Sequence, residues 1–357
     1  YNYGRQLNPT VTALQNKKSA MEDGLASAAF ATGMGAISST ILSLLKQGDH
    51  IVSSAYLFGN TNSFFGTIQN LGIEVSFVDA TDVENVAAAI KDNTRLVFVE
   101  TIANPVTQIA DLLPIGQLCR EKGVIYCVDN TMTSPHLFTP KSVGASLVVN
   151  SLTKYIGGHG NALGGAITDT GLFDWEQFPN ISDSYKGQDP SLWGITQIKK
   201  KGLRDMGASL GPEAAHHLAV GSETLSLRME KACRNAKAIT EFCDKHSKVK
   251  NVYYPGLSSH PQHKRAAELF RGFGALFSID LIDELDCFDF LNKLDSVVSS
   301  SNLGDTRTLA IPVAHTIYYE MGAERRASMG IADSMIRFSA GIEDVEDLLA
   351  DFEKALG

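Results

Sequence analysis

The chain has 357 residues and 38.5 kDa, with 44% hydrophobic, 20% charged and 8% aromatic residues. That length predicts one large domain plus a smaller one, and the composition excludes disordered, collagen-like and disulfide-scaffold classes. The 31 Lys and Arg against 40 Asp and Glu, a net charge of −9, argue against nucleic acid or an anionic membrane as the main partner.

Residues 24–45 carry no charged side chain but six Ser/Thr and three Gly, too polar for a membrane span, and predict a buried helix and its loop. Apolar runs bounded by turn residues then predict strands at 50–53, 74–78, 96–100, 124–129 and 147–151. Amphipathic helices at 60–71, 82–90 and 113–122 lie between them. Continuous apolar strands separated by helices make a mainly parallel sheet covered on both faces. From 173 to 209 the pattern weakens into Pro-, Gly- and charge-punctuated sequence, a lid or connection, with a boundary near residue 200. Beyond it come a long helix over 212–246, strands at 274–281, 297–300 and 334–339, and a closing helix over 345–356. The expected organisation is an N-terminal arm and large domain over 1–200, then a smaller α+β domain over 201–357. Cys119, Cys127, Cys233, Cys243 and Cys287 are an odd number without Cys-x-x-Cys spacing. They fit reduced thiols in a cytoplasmic protein, and no metal is assigned.

In open α/β sheets, ligands bind beyond the carboxyl ends of the strands, and Glu100, Asp129 and Lys154 stand at or just past three such ends. An aspartate that closes a strand also serves as a turn cap, so Asp129 alone leaves both readings open. Lys154 follows its strand in Ser151-Leu152-Thr153-Lys154-Tyr155-Ile156-Gly157-Gly158-His159-Gly160. Burial there lowers an amine's pKa and makes Lys154 a candidate imine former, whereas His159 reads as a structural hydrogen-bonding residue. The turn Thr32-Gly33-Met34-Gly35 opens a helical run and offers N–H groups to a phosphate. Ser151, Thr153 and a cation such as Arg5 would complete an anion cage.

Pyridoxal phosphate asks for a lysine, a carboxylate for the ring nitrogen, a phosphate cradle, an aromatic stacker and an anchor for the substrate carboxylate. Lys154, Asp129, the Gly33-Met34 turn, Phe58 and Arg337 supply these five. The chain has no Gly-x-Gly-x-x-Gly opening a helix after the first strand, which argues against a nicotinamide-dependent oxidoreductase. A non-catalytic module that retains the cofactor stays open, because motifs show available chemistry rather than turnover.

Several segments together resemble the pyridoxal-phosphate enzymes of cysteine and methionine metabolism, which include cystathionine γ-synthase, cystathionine γ-lyase, methionine γ-lyase and the homoserine-ester sulfhydrylases. They are Tyr3-Gly4-Arg5-Gln6-Leu7-Asn8-Pro9-Thr10, Thr32-Gly33-Met34, Glu100-Thr101-Ile102-Ala103-Asn104-Pro105, Val128-Asp129-Asn130-Thr131, the segment 151–160, Tyr254-Pro255-Gly256-Leu257 and the segment 337–343. The resemblance spans nearly the whole chain. It implies an α/β protein of the fold type I pyridoxal-phosphate transferases, with a mainly parallel central sheet and a smaller C-terminal α+β domain.

By position, the resemblance implies that Lys154 holds the cofactor as an imine, Asp129 pairs with the ring nitrogen, and Gly33, Met34, Ser151 and Thr153 bind its phosphate. Asn104 would lie beside the ring and Phe58 would stack on it. Arg337, with Asn302, would take the substrate carboxylate. Tyr3 and Arg5 would reach the phosphate of a neighbouring subunit, within a homotetramer built from two catalytic dimers.

Two departures bear on the reaction. Phe58 stands where many family members, the lyases among them, carry a tyrosine, so the ring is kept and the phenol lost. Asn302-Leu303-Gly304-Asp305 and Ile311-Pro312-Val313 replace the family's Ser-Leu-Gly and His-Pro-Ala. The former, with Gly202-Leu203-Arg204-Asp205-Met206-Gly207, is similar to the sulfhydrylases. The expected activity is γ-replacement on an O-acyl homoserine by a sulfur nucleophile, with γ-elimination by a methionine or cystathionine γ-lyase as the alternative.

Overall fold

The computed structural model describes residues 1–357, the side chain of Ser328 excepted. The chain forms two compact units. One comprises Tyr1–Thr101, Ala110–Gly157 and Asn161–Glu223, and the other Ile102–Ile109, Gly158–Gly160 and Thr224–Gly357.

The larger unit holds strands β1 (Ala26–Phe30), β2 (His50–Ser54), β3 (Glu74–Val78), β4 (Thr94–Glu100), β5 (Ile125–Asp129), β6 (Leu147–Ser151) and β7 (Gly165–Asp169). Its helices are α1 (Pro9–Met21), α2 (Gly33–Leu44), α3 (Gly59–Gln69), α4 (Val83–Ala89), α5 (Leu112–Lys122), α6 (Ser134–Leu137), α7 (Trp193–Gln197) and α8 (Pro212–Ser222). The sheet order is β1-β7-β6-β5-β4-β2-β3; the five strands from β6 to β3 run parallel, while β7 and β1 are antiparallel to their neighbours.

All of β2 is buried and the apolar residues of β4 and β5 are too, as a sheet covered on both faces requires. Phe30, Ile51, Phe65, Phe98, Ile125 and Ile167 share its core, with Phe65 edge-on to Phe98 at 5.3 Å. Helix starts carry their signals in sequence. Asn8 caps α1 ahead of Pro9, and the Thr32 hydroxyl accepts the Gly35 N–H at 2.8 Å to cap α2.

Three expectations change. The stretch 24–45 is not a helix and loop throughout, because residues 26–30 form β1 against β7. Residues 26–29 are small, and α1 approaches closely enough for Ser19 to hydrogen-bond Ser27 at 2.8 Å. Strand β7 was equally hidden: a Cβ on Gly165 would come within 2.1 Å of the Thr32 carbonyl, so glycine stands where α2 begins. Much of the stretch 173–209 packs into the core rather than forming a lid. Trp175, Phe178 and Ile181 pack there with Ile195 of α7 and with Ile198 and Leu203 of the π-helical continuation Ile198–Asp205.

In the other unit, β8 (Val249–Tyr253), β9 (Leu276–Leu281), β10 (Val298–Ser299), β11 (Leu309–Pro312) and β12 (Met335–Ser339) form a sheet in the order β10-β11-β12-β9-β8. All its pairings are antiparallel except that of β10 with β11. Its helices are α9 (Leu225–Cys243), α10 (His263–Leu269), α11 (Cys287–Lys293), α12 (Ala323–Ser328) and α13 (Val345–Leu356). Phe277 stacks on Phe338 at 5.1 Å, and Phe290 and Phe352 close the same cluster. The long helix expected over 212–246 is two, α8 and α9, interrupted at Glu223 and Thr224, where the Ser222 hydroxyl turns back onto the Ala219 carbonyl at 2.6 Å. The five cysteines are free thiols, and among the described residues no helix is long and apolar enough to cross a membrane.

Candidate active site

Three parallel strands of the larger unit end in polar residues. Strand β4 ends at Glu100, β5 at Asp129 and β6 at Ser151, and Glu100 lies directly opposite Asp129 in register. The loop after β5 ties these ends together. The Thr131 N–H donates to Asp129 Oδ1 at 3.0 Å, and the Thr131 hydroxyl accepts the Ser151 N–H at 2.8 Å.

Burial raises the carboxyls of both Glu100 and Asp129. Glu100 is pushed well above the usual range by desolvation and then by the charge of Asp129, and Asp129 is raised by desolvation against the pull of Thr131. One donor partly offsets the burial of Glu100: the Phe58 N–H reaches its Oε1 at 2.6 Å. That bond fixes the start of α3, whose N-cap is Phe58, and leaves the Phe58 ring 39% exposed.

Lys154 follows β6 on a tight turn in which its N–H meets the Ser151 carbonyl at 3.3 Å and the Gly157 N–H meets the Leu152 carbonyl at 2.8 Å. The side chain of Lys154 is half-buried. A Cβ on Gly33 would stand 2.9 Å from the Ser151 Cβ, so the first turn of α2 lies against the Ser151 side chain because residue 33 has none. Since the Thr32 hydroxyl is spent on Gly35, the Gly33 and Met34 N–H groups head the helix in the orientation that receives an anion. The Thr61 hydroxyl contacts Met34 Sδ at 3.8 Å, which joins the starts of α2 and α3.

Lys154, Asp129, Ser151, Gly33, Met34 and Phe58 thus all stand at strand ends or helix starts of one unit. Thr153 differs in its bonding. Its hydroxyl donates to the Gly164 carbonyl at 3.1 Å and accepts the Gly164 N–H at 3.0 Å, which pins the turn after β6. Tyr3 and Arg5 lie on an exposed arm, with the Arg5 guanidinium 5.1 Å from the Tyr3 ring centre. The arm is held by the same chain: Arg5 donates to the Arg204 carbonyl, and the Ser209 hydroxyl donates to the Arg5 carbonyl at 2.6 Å.

The remaining expected residues belong to the other unit. Arg337, on β12, is almost wholly buried and donates to the carbonyls of Ser301 at 3.1 Å and Asn302 at 2.9 Å, so the structure brings Arg337 and Asn302 together. Asn104 is buried, its carbonyl accepts the Tyr318 hydroxyl at 2.7 Å, and its Oδ1 has no hydrogen-bond partner among the described residues.

Glu100, a strand end without an assigned role in the sequence, and Thr131, known there only within its segment, both adjoin Asp129 in the structure. The available signal was the register: two apolar runs ending in acids in adjacent parallel strands put those acids side by side. The residues of the larger unit fit pyridoxal phosphate: a helix start opened by a glycine beside a serine, a desolvated carboxyl at a strand end and a lysine on the next turn.

The chain is similar along its whole length to known proteins. The family described as Cys/Met metabolism PLP-dependent enzyme matches residues 1–357. An L-methionine gamma-lyase of Fusobacterium nucleatum subsp. polymorphum is 40% identical over 361 residues, covering 100% of this chain and 86% of the relative. O-acetyl-L-homoserine sulfhydrylase 1 of Thermus thermophilus is 39% identical over 369 residues, covering 99% and 88%. Among solved structures, a putative O-acetylhomoserine (thiol)-lyase of Campylobacter jejuni, crystallised with N'-pyridoxyl-lysine-5'-monophosphate, superposes with a TM-score of 0.93 at 31% identity, covering 99% of this chain and 88% of that one. The chain belongs to the Cys/Met metabolism family of pyridoxal-phosphate-dependent enzymes.

Proposed function

We propose that the enzyme catalyses γ-replacement, joining a sulfur nucleophile to the carbon skeleton of an O-acyl homoserine with loss of the acyl carboxylate. When bound, the cofactor supplies an electron sink next to the substrate's α-carbon. The chain's own residues do the rest. The Lys154 amine binds the cofactor and moves the α-proton, and the Asp129 carboxylate holds a proton at the ring nitrogen. The Gly33 and Met34 N–H groups with the Ser151 and Thr153 hydroxyls hold the phosphate, Thr153 by sharing the hydroxyl it gives to Gly164. Phe58 stacks on the ring, Asn104 lies beside it, and Arg337 with Asn302 orients the substrate carboxylate. In this reading Tyr3 and Arg5 serve the phosphate of a partner subunit in a homotetramer of catalytic dimers, in the cytoplasm.

The observation that carries the choice of replacement is Phe58. Phe58 is exposed at the start of α3, held there by its N–H on Glu100, and its ring offers carbon alone where a phenol would donate a proton. An acyl carboxylate leaves without an acid, whereas a thiolate leaving from methionine benefits from one. The Fusobacterium relative, an L-methionine gamma-lyase, favours a second reading, γ-elimination to 2-oxobutanoate and ammonia. A product assay over O-acetyl and O-succinyl homoserine with sulfide, and over cystathionine, homocysteine and methionine alone, separates them. Replacement predicts that an O-acyl homoserine with sulfide is the fastest pair; the lyase reading predicts 2-oxobutanoate from methionine or cystathionine at a higher rate.

A further inference from the structure

The larger unit buries a lysine and a glutamate that no step above uses. Lys18 on α1 and Glu22, at that helix's end, are 1% and 0% exposed, and Lys18 Nζ meets Glu22 Oε1 at 2.9 Å. A buried ion pair is weak as a source of stability, because desolvating two ions offsets most of their attraction. Its third partner is more informative. Asn130 Nδ2 donates to both Glu22 oxygens, at 3.1 and 3.3 Å, and to the Phe138 carbonyl at 2.9 Å, while Asn130 Oδ1 accepts from the Thr133 hydroxyl.

Asn130 directly follows Asp129, and its backbone is held on both sides: its N–H by the Val149 carbonyl at 2.8 Å, and its carbonyl by Asn150 Nδ2 at 3.2 Å. Thr133 continues the network to the Thr101 hydroxyl at 3.0 Å, and the Thr101 N–H donates to the Asp129 carbonyl at 3.0 Å. The chain of bonds that starts at Glu22 therefore ends on the peptide units on either side of Asn130, the first of which joins it to Asp129, and on the residue after Glu100.

We infer that Glu22 is a positioning residue for the Asp129 carboxylate, acting through Asn130, with Lys18 as its buried counter-ion. The inference rests on Asp129 being the partner of the cofactor's ring nitrogen. An acceptor at position 22 is what the arrangement needs, and the charge follows from Lys18. The test compares K18M/E22Q, which retains an acceptor for Asn130, with K18M/E22L, which does not. Both remove the buried charges.

Two properties of the holoenzyme are read: cofactor dissociation on dilution, and the pH midpoint of the visible absorbance band. Thermal unfolding serves as the stability control. We expect K18M/E22Q to stay within about threefold of wild type and K18M/E22L to lose cofactor roughly tenfold more readily with a displaced midpoint, the scale on which second-layer partners tune a bound group. Equal dissociation and equal midpoints in the two doubles would overturn the inference, whatever their melting temperatures. Should K18M/E22L not fold, N130S, which keeps the ion pair and cuts the link, is read against wild type by the same two criteria. D129N in the same assays keeps the two ideas apart: an unchanged midpoint there removes the premise about Asp129, whereas a changed one beside matching doubles removes the role of Glu22 alone.

Discussion

Asp129 and Asp169 stand at opposite edges of the larger sheet, and burial raises the pKa of both. Asp169 closes β7 opposite Leu147, at the amino end of β6, whereas Asp129 at the carboxyl end of β5 pairs with Val149, about 7 Å further along, and Ser151 ends β6 about 13 Å along at the rise of a strand. Asp169 is pushed up to about 7, yet each of its oxygens is occupied, Oδ1 by the Gly171 N–H and Oδ2 by the Trp175 indole, both at 2.9 Å. Asp129 has Thr131 on one oxygen and a second acid, Glu100, as its neighbour in register. A perturbed carboxyl is therefore not by itself a site. Strand direction and the company of a helix start, a lysine turn and a second acid distinguish the edge proposed as reactive from the structural one.

The largest expected effect breaks the reactive edge at its centre. Lys154→Ala should lower turnover on the best substrate by about 10⁴-fold, since binding the cofactor and moving the α-proton share one amine. The melting temperature should stay near that of wild type. Steady-state rates with thermal scans check this.

The two aspartates should then respond in opposite ways. Asp129→Asn should cost on the order of 10²-fold in kcat with little loss of stability, because it changes the proton balance at the cofactor and not the core. Asp169→Asn should leave the rate per folded molecule unchanged and cost about 1–3 kcal/mol of stability, because an amide accepts from one of the two donors and opposes the other. Denaturant unfolding and kcat measured on both variants decide whether the comparison holds.

The pH dependence of stability sharpens the same contrast. Asp169 has a folded pKa of about 7 against an ordinary 3.8, so the native state binds its proton more tightly than the unfolded chain does. Its contribution to stability is intact below about pH 4 and falls as pH rises toward about 7, after which it is constant. Asp169→Asn should flatten that part of the wild-type stability profile. An unchanged slope between pH 4 and 7 would show that the group does not titrate there.

The smallest effect concerns the choice of reaction. Phe58→Tyr should raise 2-oxobutanoate release from methionine by roughly threefold to tenfold, the worth of one hydrogen bond to a leaving group, and leave sulfide transfer onto O-acyl homoserine nearly unchanged. Equal gains in both reactions would reduce Phe58 to a packed ring.

The reactive edge was legible in the sequence because its strands are continuous apolar runs ending in chemistry. Residues 96–100, 124–129 and 147–151 announce buried parallel strands, and Glu100, Asp129 and Lys154 follow at or just past their ends. The structural edge was not legible. Strands β1 and β7 each carry one large apolar residue, Phe30 and Ile167, among Ala, Ser, Gly and Thr that allow close approach to α1 and α2, and so short a mix carries no clear strand period. Trp175 and Phe178 lie among charges and prolines whose pattern suggested a lid, yet they fill the core. Individual bonds were equally invisible. Nothing in the sequence tells that the Thr153 hydroxyl turns to Gly164, or that Lys18 and Glu22, four residues apart as on any solvated helix face, are sealed beneath Asn130.

The claim on which the rest depends is that the carboxyl edge of β4, β5 and β6 is the cofactor site and that Lys154 is its lysine. Borohydride reduction of the purified holoenzyme, followed by peptide mapping, measures this directly. A reduced pyridoxyl label on the peptide containing Lys154 and loss of the visible absorbance band are the expected result. A label on another lysine, or purified protein with no such band, would contradict it.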